Sequence, residues 1–359
     1  MKHWQCAVAY GALVAAFTGY VMLDTFLLPS MQTTAVSVNT SMFADVQADT
    51  LPPEEAAETT TETASNASET KSETQAEASE KSHRGRKHSR SEQNQTQAAP
   101  AEMTETTEAA ENSGNAVTSG TTYENENARI TLTQYREYGT DIYVADVQLS
   151  SAQYLETAFA DDLYGKNVTA ATSDIAEAHD AVLAINGDFY GAREQGIVIR
   201  NGVVYRDGGD ADTDVLCVYA DGHFGITNAA ESDAQSLVDA GVWQAFSFGP
   251  ALVEDGNIAV STSAEVAQSM QSNPRTAIGM IEPLHYVFVV SDGRTDASEG
   301  LSLYQLGEFM QSLGVQTAYN LDGGGSTTMY FQGQVVNNPT TNGRSFKERK
   351  VSDIVYIGS

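Results

Sequence analysis

The feature that most limits what this chain can fold into is a long polar stretch with few large apolar residues. From about Thr40 to Asn127 the sequence is rich in Thr, Glu, Ser and Ala. Such a segment cannot bury enough apolar surface to offset the entropy that ordering costs. We therefore predict a disordered linker over residues 36–127 and a single folded domain over residues 128–359.

An uncharged apolar segment precedes this linker. It runs from Cys6 to Leu23, and its 18 residues are enough to cross a bilayer. No small-residue cleavage site follows closely, which favours an uncleaved transmembrane anchor within residues 1–35. Lys2 lies before the segment and Asp24 after it, so the positive-inside rule predicts a single-pass cell-membrane protein whose C-terminal domain is outside.

Charge and cysteine content limit the partners and the source of stability. The formal net charge of −29 disfavours nucleic acid, because Lys and Arg supply most of the affinity for its phosphates. The two cysteines are Cys6, in the apolar segment, and Cys217, in a probable strand. They form no disulfide framework, so an ordinary apolar core must stabilise the domain.

The predicted folded domain combines many strand and turn signals with few helix signals. Asn201-Gly202 predicts a hairpin turn, and Asp221-Gly222 and Asp255-Gly256 predict two more. Helices are predicted over residues 173–180, 232–240 and 302–313, the last beginning with a capping box of Ser302 and Gln305. Because strands and helices do not alternate regularly, we expect a strand-rich α+β domain.

The strongest local motif is the run Asn-Leu-Asp-Gly-Gly-Gly-Ser-Thr-Thr at residues 320–328, which lies between two apolar strand-like runs. Successive glycines let the backbone approach a ligand closely. A carboxylate beside backbone amides and hydroxyls suits a polar or anionic substrate. The same residues also fit a tight turn capped by Asp322, and chemistry alone leaves both interpretations open.

Three other polar clusters border apolar runs: Asn186-Gly187-Asp188, Arg275-Thr276 and Asp292-Gly293-Arg294. In a domain poor in cations, Arg275 is a candidate for binding phosphate or carboxylate. An ion pair with one of the many acids is the alternative. The Asn186-Gly187 pair lines a site at a strand end or forms a turn.

In their shared order these clusters resemble the phosphodiester glycosidase family. The resemblance spans about Val182 to Ile357, with further landmarks at Phe248-Gly249-Pro250 and Gly300-Leu301-Ser302. Asp188 is a departure, since family members often have a small residue there. The resemblance implies a hydrolase that cleaves the C–O bond of a sugar-1-phosphodiester, such as a GlcNAc-1-phosphodiester on a cell-surface glycopolymer or exopolysaccharide, and releases free sugar.

The resemblance also implies roles for the clustered residues. The leaving group is a phosphate monoester, so stabilising its charge matters more than protonating it. Arg275, together with Arg294, is expected to bind the phosphate. Asp322 is expected to act as the nucleophile or as the base that activates water, and Asp188 or Asp292 is expected to supply a second carboxylate. The expected substrate-binding residues are Asn186, Gly187, Thr276, Arg294, Asn320, Gly323, Gly324, Gly325, Ser326 and Thr327.

Three alternatives remain open from the sequence. Asp322, Asp188 and Asp292 together can hold a divalent cation such as Ca²⁺ or Mg²⁺. A non-catalytic module that binds cell-wall glycan uses the same loop without cleavage. A metal-dependent phosphodiesterase cuts the P–O bond instead, although His-rich metal motifs are absent from the sequence.

Overall fold

The computed structural model describes residues 13–20, 30–35, 37–43, 121–208, 212–264 and 272–359. The helices are α1 (residues 13–20), α2 Thr172–Ala178, α3 Ala234–Asp239 and α4 Leu303–Ser312. The strands are β1 Ser30–Ala35, β2 Thr121–Glu124, β3 Ala128–Glu137, β4 Thr140–Leu149, β5 Glu156–Phe159, β6 Leu163–Lys166, β7 Ala181–Asn186, β8 Val198–Arg200, β9 Val203–Arg206, β10 Asp214–Tyr219, β11 Phe224–Asn228, β12 Val242–Phe246, β13 Ala251–Glu254, β14 Asn257–Ile258, β15 Arg275–Glu282, β16 His285–Ser291, β17 Thr317–Leu321, β18 Met329–Phe331, β19 Gln334–Val335 and β20 Asp353–Gly358.

The strands form one large sheet, two five-stranded sheets and one strand pair. The large sheet has eight strands in the order β14-β13-β17-β15-β16-β4-β3-β2. The two five-stranded sheets have the orders β19-β18-β7-β20-β5 and β11-β10-β12-β8-β9, and β1 pairs with β6. Neighbours such as β15 and β17 run antiparallel, with Thr276 opposite Leu321. The predicted strand-rich α+β class is confirmed.

The three larger sheets share a central apolar core. Ile278 and Phe288 come from the eight-stranded sheet, Ile185 from the sheet of β7, and Leu216 and Phe246 from the sheet of β10. All five are fully buried. Because side chains alternate along a strand, every second residue of these strands enters this core.

The outer face of each sheet is covered by a helix. α4 packs its Leu306 and Phe309 with Ala277 and Val289 of the large sheet, while Ile175 of α2 packs with Ala184 of β7. Ala234 of α3 lies in a third cluster with the outward residues of β10 and β12. The helices therefore cover the apolar faces that point away from the central core.

The turns and helices predicted from local signals are confirmed. Asn201 and Gly202 both have positive φ, as the turn between β8 and β9 requires, and Asp255 and Gly256 do the same between β13 and β14. Asp221-Gly222 joins β10 to β11. In α4, Ser302 and Gln305 form the predicted capping box. α3 lies within the predicted segment 232–240, and α2 begins one residue before the predicted segment 173–180 and ends at Ala178.

The N-terminal part of the chain is described only in pieces. Residues 13–20 are helical, and the rest of the predicted apolar anchor, like residues 44–120 of the predicted linker, lies outside the described residues. No helix in the described ranges has the length and apolar character needed to span a membrane. Folded structure also begins before residue 128, since β2 starts at Thr121 and Phe43 packs edge-on against Trp243.

Candidate active site

Asn186, at the end of β7, connects the ends of several segments that carry predicted site residues. Its Nδ2 donates to the carbonyl of Asp322 (2.6 Å). Its Oδ1 accepts from Thr276 Oγ1 (2.8 Å) and from the amide of Thr328 (3.2 Å). Asn186 and Thr276 are both fully buried. Since their polar atoms are engaged inside the protein, these two residues hold the strand ends together beneath the site.

Asp322 follows β17 and pairs with an arginine that the sequence analysis did not select. Arg349 Nη2 lies 2.7 Å from Asp322 Oδ2, with side-chain exposures of 39% and 10%. Burial raises the pKa of Asp322, and the charge of Arg349 opposes that rise. Arg349 Nε also donates to Ser326 Oγ (2.8 Å). The pair therefore places a nearly buried carboxylate beside a guanidinium that reaches solvent.

The glycine run wraps closely around this pair. Gly324 begins a short 3₁₀ turn, Gly324–Ser326, with φ of 63°, a conformation that favours glycine. A Cβ at Gly324 would lie 2.8 Å from Nη2 of Arg294. Only a glycine thus lets the backbone approach this guanidinium without displacing it.

Arg294 lies against the same loop and is held by two hydrogen bonds. Its Nε donates to Asn273 Oδ1 (2.9 Å) and its Nη1 to the carbonyl of Thr341 (2.6 Å). Burial, together with the positive charge of Arg349, lowers the pKa of Arg294. Two guanidinium groups are therefore held near each other at one glycine-rich loop, which is an arrangement suited to an oxyanion.

Three polar atoms of the 320–328 motif are buried and lack a hydrogen-bond partner among the described residues: Asn320 Oδ1, Thr327 Oγ1 and Thr328 Oγ1. Asn320 Nδ2 donates to the carbonyl of Gly249 (2.8 Å), which fixes the amide orientation. Buried polar groups in folded proteins are nearly always hydrogen-bonded. These atoms have unused hydrogen-bonding capacity inside the protein, where they are closed to solvent.

Asp188 belongs to a different, fully buried network. Its Oδ1 lies 2.8 Å from Arg200 Nη2, and its Oδ2 accepts from the amide of Ser247 (2.9 Å). Arg200 Nε also donates to Asp353 Oδ2 (2.9 Å). Burial raises the pKa of Asp353, with Arg200 opposing the rise and Asp188 adding to it. Asp188, which is 1% exposed, is thus placed to support the site and not to contact substrate.

This network lies directly under the Asn186-Gly187 turn. A Cβ on Gly187 would lie 2.2 Å from Asp353 Oδ1, so only glycine fits above that carboxylate. The amide of Gly187 donates to the carbonyl of Asp353 (2.9 Å), and its own carbonyl accepts from the amide of Asp322 (3.2 Å). Gly187 therefore connects the buried network to the backbone of Asp322.

Arg275 is placed differently from its predicted role. It is 2% exposed, and its Nε donates to the carbonyl of Leu301 (3.0 Å). Alternation along β15 puts its side chain on the sheet face opposite to Thr276, which bonds Asn186. The guanidinium that the structure pairs with Asp322 is that of Arg349.

Asp292 anchors a loop. Its Oδ1 accepts from the amide of Asn338 (2.8 Å) and its Oδ2 from Asn338 Nδ2 (2.7 Å), while burial raises its pKa. Asp322, Asp188 and Asp292 thus each have separate partners. Within the described part of the chain, no three His, Cys, Asp or Glu side chains are grouped to hold a metal ion.

The sequence profile of the phosphodiester glycosidase family matches residues 179–358, which contain every one of these site residues. This chain belongs to the phosphodiester glycosidase family. The family predicted from the ordered motifs is confirmed, and the enzyme class of this family, phosphodiester glycosidase, is the one predicted.

Two curated relatives support this assignment over part of their length. The SPbeta prophage-derived uncharacterized protein YomE of Bacillus subtilis is 30% identical over 169 residues, 46% of this chain and 26% of that protein. The N-acetylglucosamine-1-phosphodiester alpha-N-acetylglucosaminidase of Mus musculus is 31% identical over 101 residues, 25% of this chain and 19% of that protein. The phosphodiester glycosidase match thus spans at most about a quarter of these relatives.

A solved structure has the same fold. The catalytic domain of zebrafish N-acetylglucosamine-1-phosphodiester alpha-N-acetylglucosaminidase, auto-inhibited by its pro-peptide, superposes with a TM-score of 0.52 and 19% identity. The superposition covers 65% of this chain and 83% of that chain. It shows that the strand-rich domain has the phosphodiester glycosidase fold.

The sequence analysis missed Arg200, Arg349 and Asp353. Arg349 lies 27 residues after Asp322 in a loop without a recognisable motif. One signal was present: Lys347, Arg349 and Lys350 form a basic cluster in a domain poor in cations. Arg200 gave no sign of burial, because it adjoins the exposed-looking turn Asn201-Gly202.

Proposed function

We propose that this chain hydrolyses the glycosidic C–O bond of a sugar-1-phosphodiester and releases free sugar and a phosphomonoester. The observation that supports this most strongly is the contact of Asp322 with Arg349, with Arg294 next to Gly324 of the Gly324–Ser326 turn. One carboxylate and two guanidinium groups at a loop with close backbone approach match the needs of this reaction.

In the proposed reaction the arginines bind the phosphate. As the C–O bond breaks, the bonding electrons go to the phosphate oxygen, and Arg349 and Arg294 meet the developing charge. Because a phosphate monoester is a weak base, it leaves without a strong general acid. This account transfers to Arg349 the role that the sequence analysis gave to Arg275.

Asp322 supplies the carboxylate at the anomeric carbon, either as nucleophile or as the base that activates water. Burial raises its pKa, which makes it a stronger proton acceptor than an exposed aspartate, and Arg349 limits that rise. Asn186 and Gly187 fix its backbone through hydrogen bonds of 2.6 and 3.2 Å. The carboxylate is thereby held in position before substrate binds.

The proposed substrate is a GlcNAc-1-phosphodiester-like unit of a cell-surface glycopolymer or exopolysaccharide. The sugar follows the name of the mouse relative, which is an N-acetylglucosamine-1-phosphodiester alpha-N-acetylglucosaminidase. The surface context follows the sequence-based prediction of an outward-facing domain.

The test incubates the full chain with a GlcNAc-1-phosphodiester and identifies the products by mass spectrometry. We expect free GlcNAc and a phosphomonoester from wild type and none from Asp322→Asn. Asp239→Asn is the matched control, because it removes an exposed carboxylate on α3 that accepts a hydrogen bond from Gln235. Release of GlcNAc-1-phosphate would show that the glycosidic C–O bond stays intact, and it would contradict the proposed reaction. Binding without any product would favour the glycan-binding module.

A further inference from the structure

A second cleft lies beside the candidate active site. It encloses about 490 Å³ and is lined by Arg193, Glu194, Gln195, Gly196, Thr213 and Ser247. This volume falls in the range of small-molecule sites, about 300–1,000 Å³. None of the lining residues takes part in the chemistry proposed for Asp322 and Arg349.

Arg193 gives the cleft a positioned cation. Its guanidinium carbon lies 4.5 Å from the centroid of the Phe248 ring, and its Nη1 donates to the carbonyl of Ser247 (3.3 Å). Both contacts limit the orientation of a half-buried side chain. Nε and Nη2 make no hydrogen bond to any described residue and can bind an oxyanion through two parallel contacts.

The surroundings of Arg193 favour an anion. The carboxylate of Glu194 is paired with Lys166 Nζ at 2.9 Å, which reduces its repulsion of an anion. Arg206 supports the loop from behind, since its Nη1 donates to the carbonyls of Tyr190 (3.1 Å) and Arg193 (2.6 Å). The cleft therefore combines a fixed loop with an oriented cation, Arg193, whose neighbouring acid Glu194 is already paired.

The cleft shares a wall with the candidate active site. Phe189 lies 5.5 Å from the guanidinium of Arg349, and Arg193 follows it on the same loop. After β12, the ring of Phe248 contacts the guanidinium of Arg193, and the carbonyl of the next residue, Gly249, accepts a hydrogen bond from Asn320 Nδ2. Arg349 and Arg193 thus contact two aromatic residues, Phe189 and Phe248, that adjoin the cleft in sequence.

We propose that this cleft is a second phosphate subsite, in which Arg193 binds the next phosphate of a substrate that carries more than one. The inference rests on the proposed function, because it places the continuation of the same substrate beyond the cleaved bond. The enzyme would then prefer a phosphate-linked polymer to a single sugar phosphodiester. Arg193 acts in recognition of that second unit and not in bond cleavage.

The test measures binding with two probes. One is the methyl phosphodiester of GlcNAc-1-phosphate, and the other is the same compound extended through glycerol to a second phosphate. Calorimetry on the full-length Asp322→Asn variant avoids turnover. We expect the second phosphate to tighten binding about tenfold, as one charge-assisted contact at a partly exposed site gives. Adding Arg193→Gln should abolish that gain.

Adding Arg129→Gln instead is the matched control. It removes the same charge from β3, where Arg129 pairs with Glu124 at 2.8 Å, and should keep the tenfold ratio. An equal affinity of the two probes, or a ratio that Arg193→Gln leaves unchanged, would overturn the subsite. The proposed function is tested separately: wild type that releases no GlcNAc from either probe contradicts the reaction, whereas the binding ratio still decides the subsite.

Discussion

Two Asp–Arg pairs lie at strand ends of this domain and differ in their access to solvent. Arg349 and Asp322 approach to 2.7 Å with exposures of 39% and 10%, while Arg200 and Asp188 approach to 2.8 Å with exposures of 1% each. The first pair can meet a ligand without any movement of the fold. The second is closed to ligands and tied by Asp353 to the turn that positions Asp322.

Because the two pairs differ in exposure, we expect substitutions in them to have different effects on stability and turnover. A partly exposed ion pair contributes little to stability, about 0–1 kcal/mol. Removing one partner of a buried pair leaves an uncompensated charge and costs several times more. Substitutions in the Asp322 pair should therefore reduce turnover, and substitutions in the Asp188 pair should reduce stability.

The largest expected effect is on turnover in Asp322→Asn. We expect kcat/KM to fall by at least about 10³-fold, because the variant loses the attacking or proton-accepting carboxylate. The urea midpoint should stay close to that of wild type. Release of GlcNAc followed by mass spectrometry gives the rate, and a variant with more than a tenth of wild-type activity would remove Asp322 from the chemistry.

The next effect is on stability in Arg200→Gln. Asp188 and Asp353 would then lie buried without their cation, so the free energy of unfolding should fall by about 3–5 kcal/mol. Urea denaturation followed by circular dichroism measures it, with Arg129→Gln as the exposed control. An Arg200→Gln variant of wild-type stability and reduced turnover would reverse the roles of the two pairs.

Arg349→Gln should lower kcat/KM by about 10²-fold, since it removes a positioned charge from the leaving phosphate. Arg275→Gln is the matched comparison, because Arg275 bonds the carbonyl of Leu301 on the other face of β15. Per folded molecule, Arg275→Gln should lower kcat/KM less than Arg349→Gln does. Steady-state kinetics on both variants decides the matter, and the opposite ranking would return the phosphate role to Arg275.

The smallest expected effect is a shift in pH dependence. Asp322 acts ionised, so activity is present above its pKa and is lost as pH falls through it. Burial raises this pKa, so the loss should begin at a higher pH than an exposed aspartate would give. Arg349 opposes the rise, so in Arg349→Gln the acidic limb of kcat/KM should move to still higher pH. An acidic limb that stays at the same pH or moves to lower pH would contradict the effect of Arg349 on the pKa of Asp322.

The sequence predicted the features that local signals specify. Asn201-Gly202 requires positive φ at both residues, and the Ser302–Gln305 capping box begins a helix, so both appear where the sequence predicted them. The glycine run also located the loop next to Asp322. These elements depend on residues that are close in the chain.

The sequence did not predict the features that depend on distant pairing. Asp188 and Asp322 look alike as carboxylates after apolar strands, and only Arg200 and Arg349, contributed by other segments, distinguish them. Arg275 looked like the phosphate ligand because it begins a strand in a cation-poor domain. Its orientation is set by the register of β15 with β17, which motif reading does not give.

The most direct test of the account is to run the reaction in water enriched in ¹⁸O. Attack at the anomeric carbon puts the water oxygen on the sugar, whereas attack at phosphorus puts it on the phosphate, even though both can release free GlcNAc. Mass spectrometry of the two products distinguishes them. The account predicts one ¹⁸O atom in GlcNAc and none in the phosphomonoester, and label in the phosphate would contradict C–O cleavage at the Asp322 and Arg349 site.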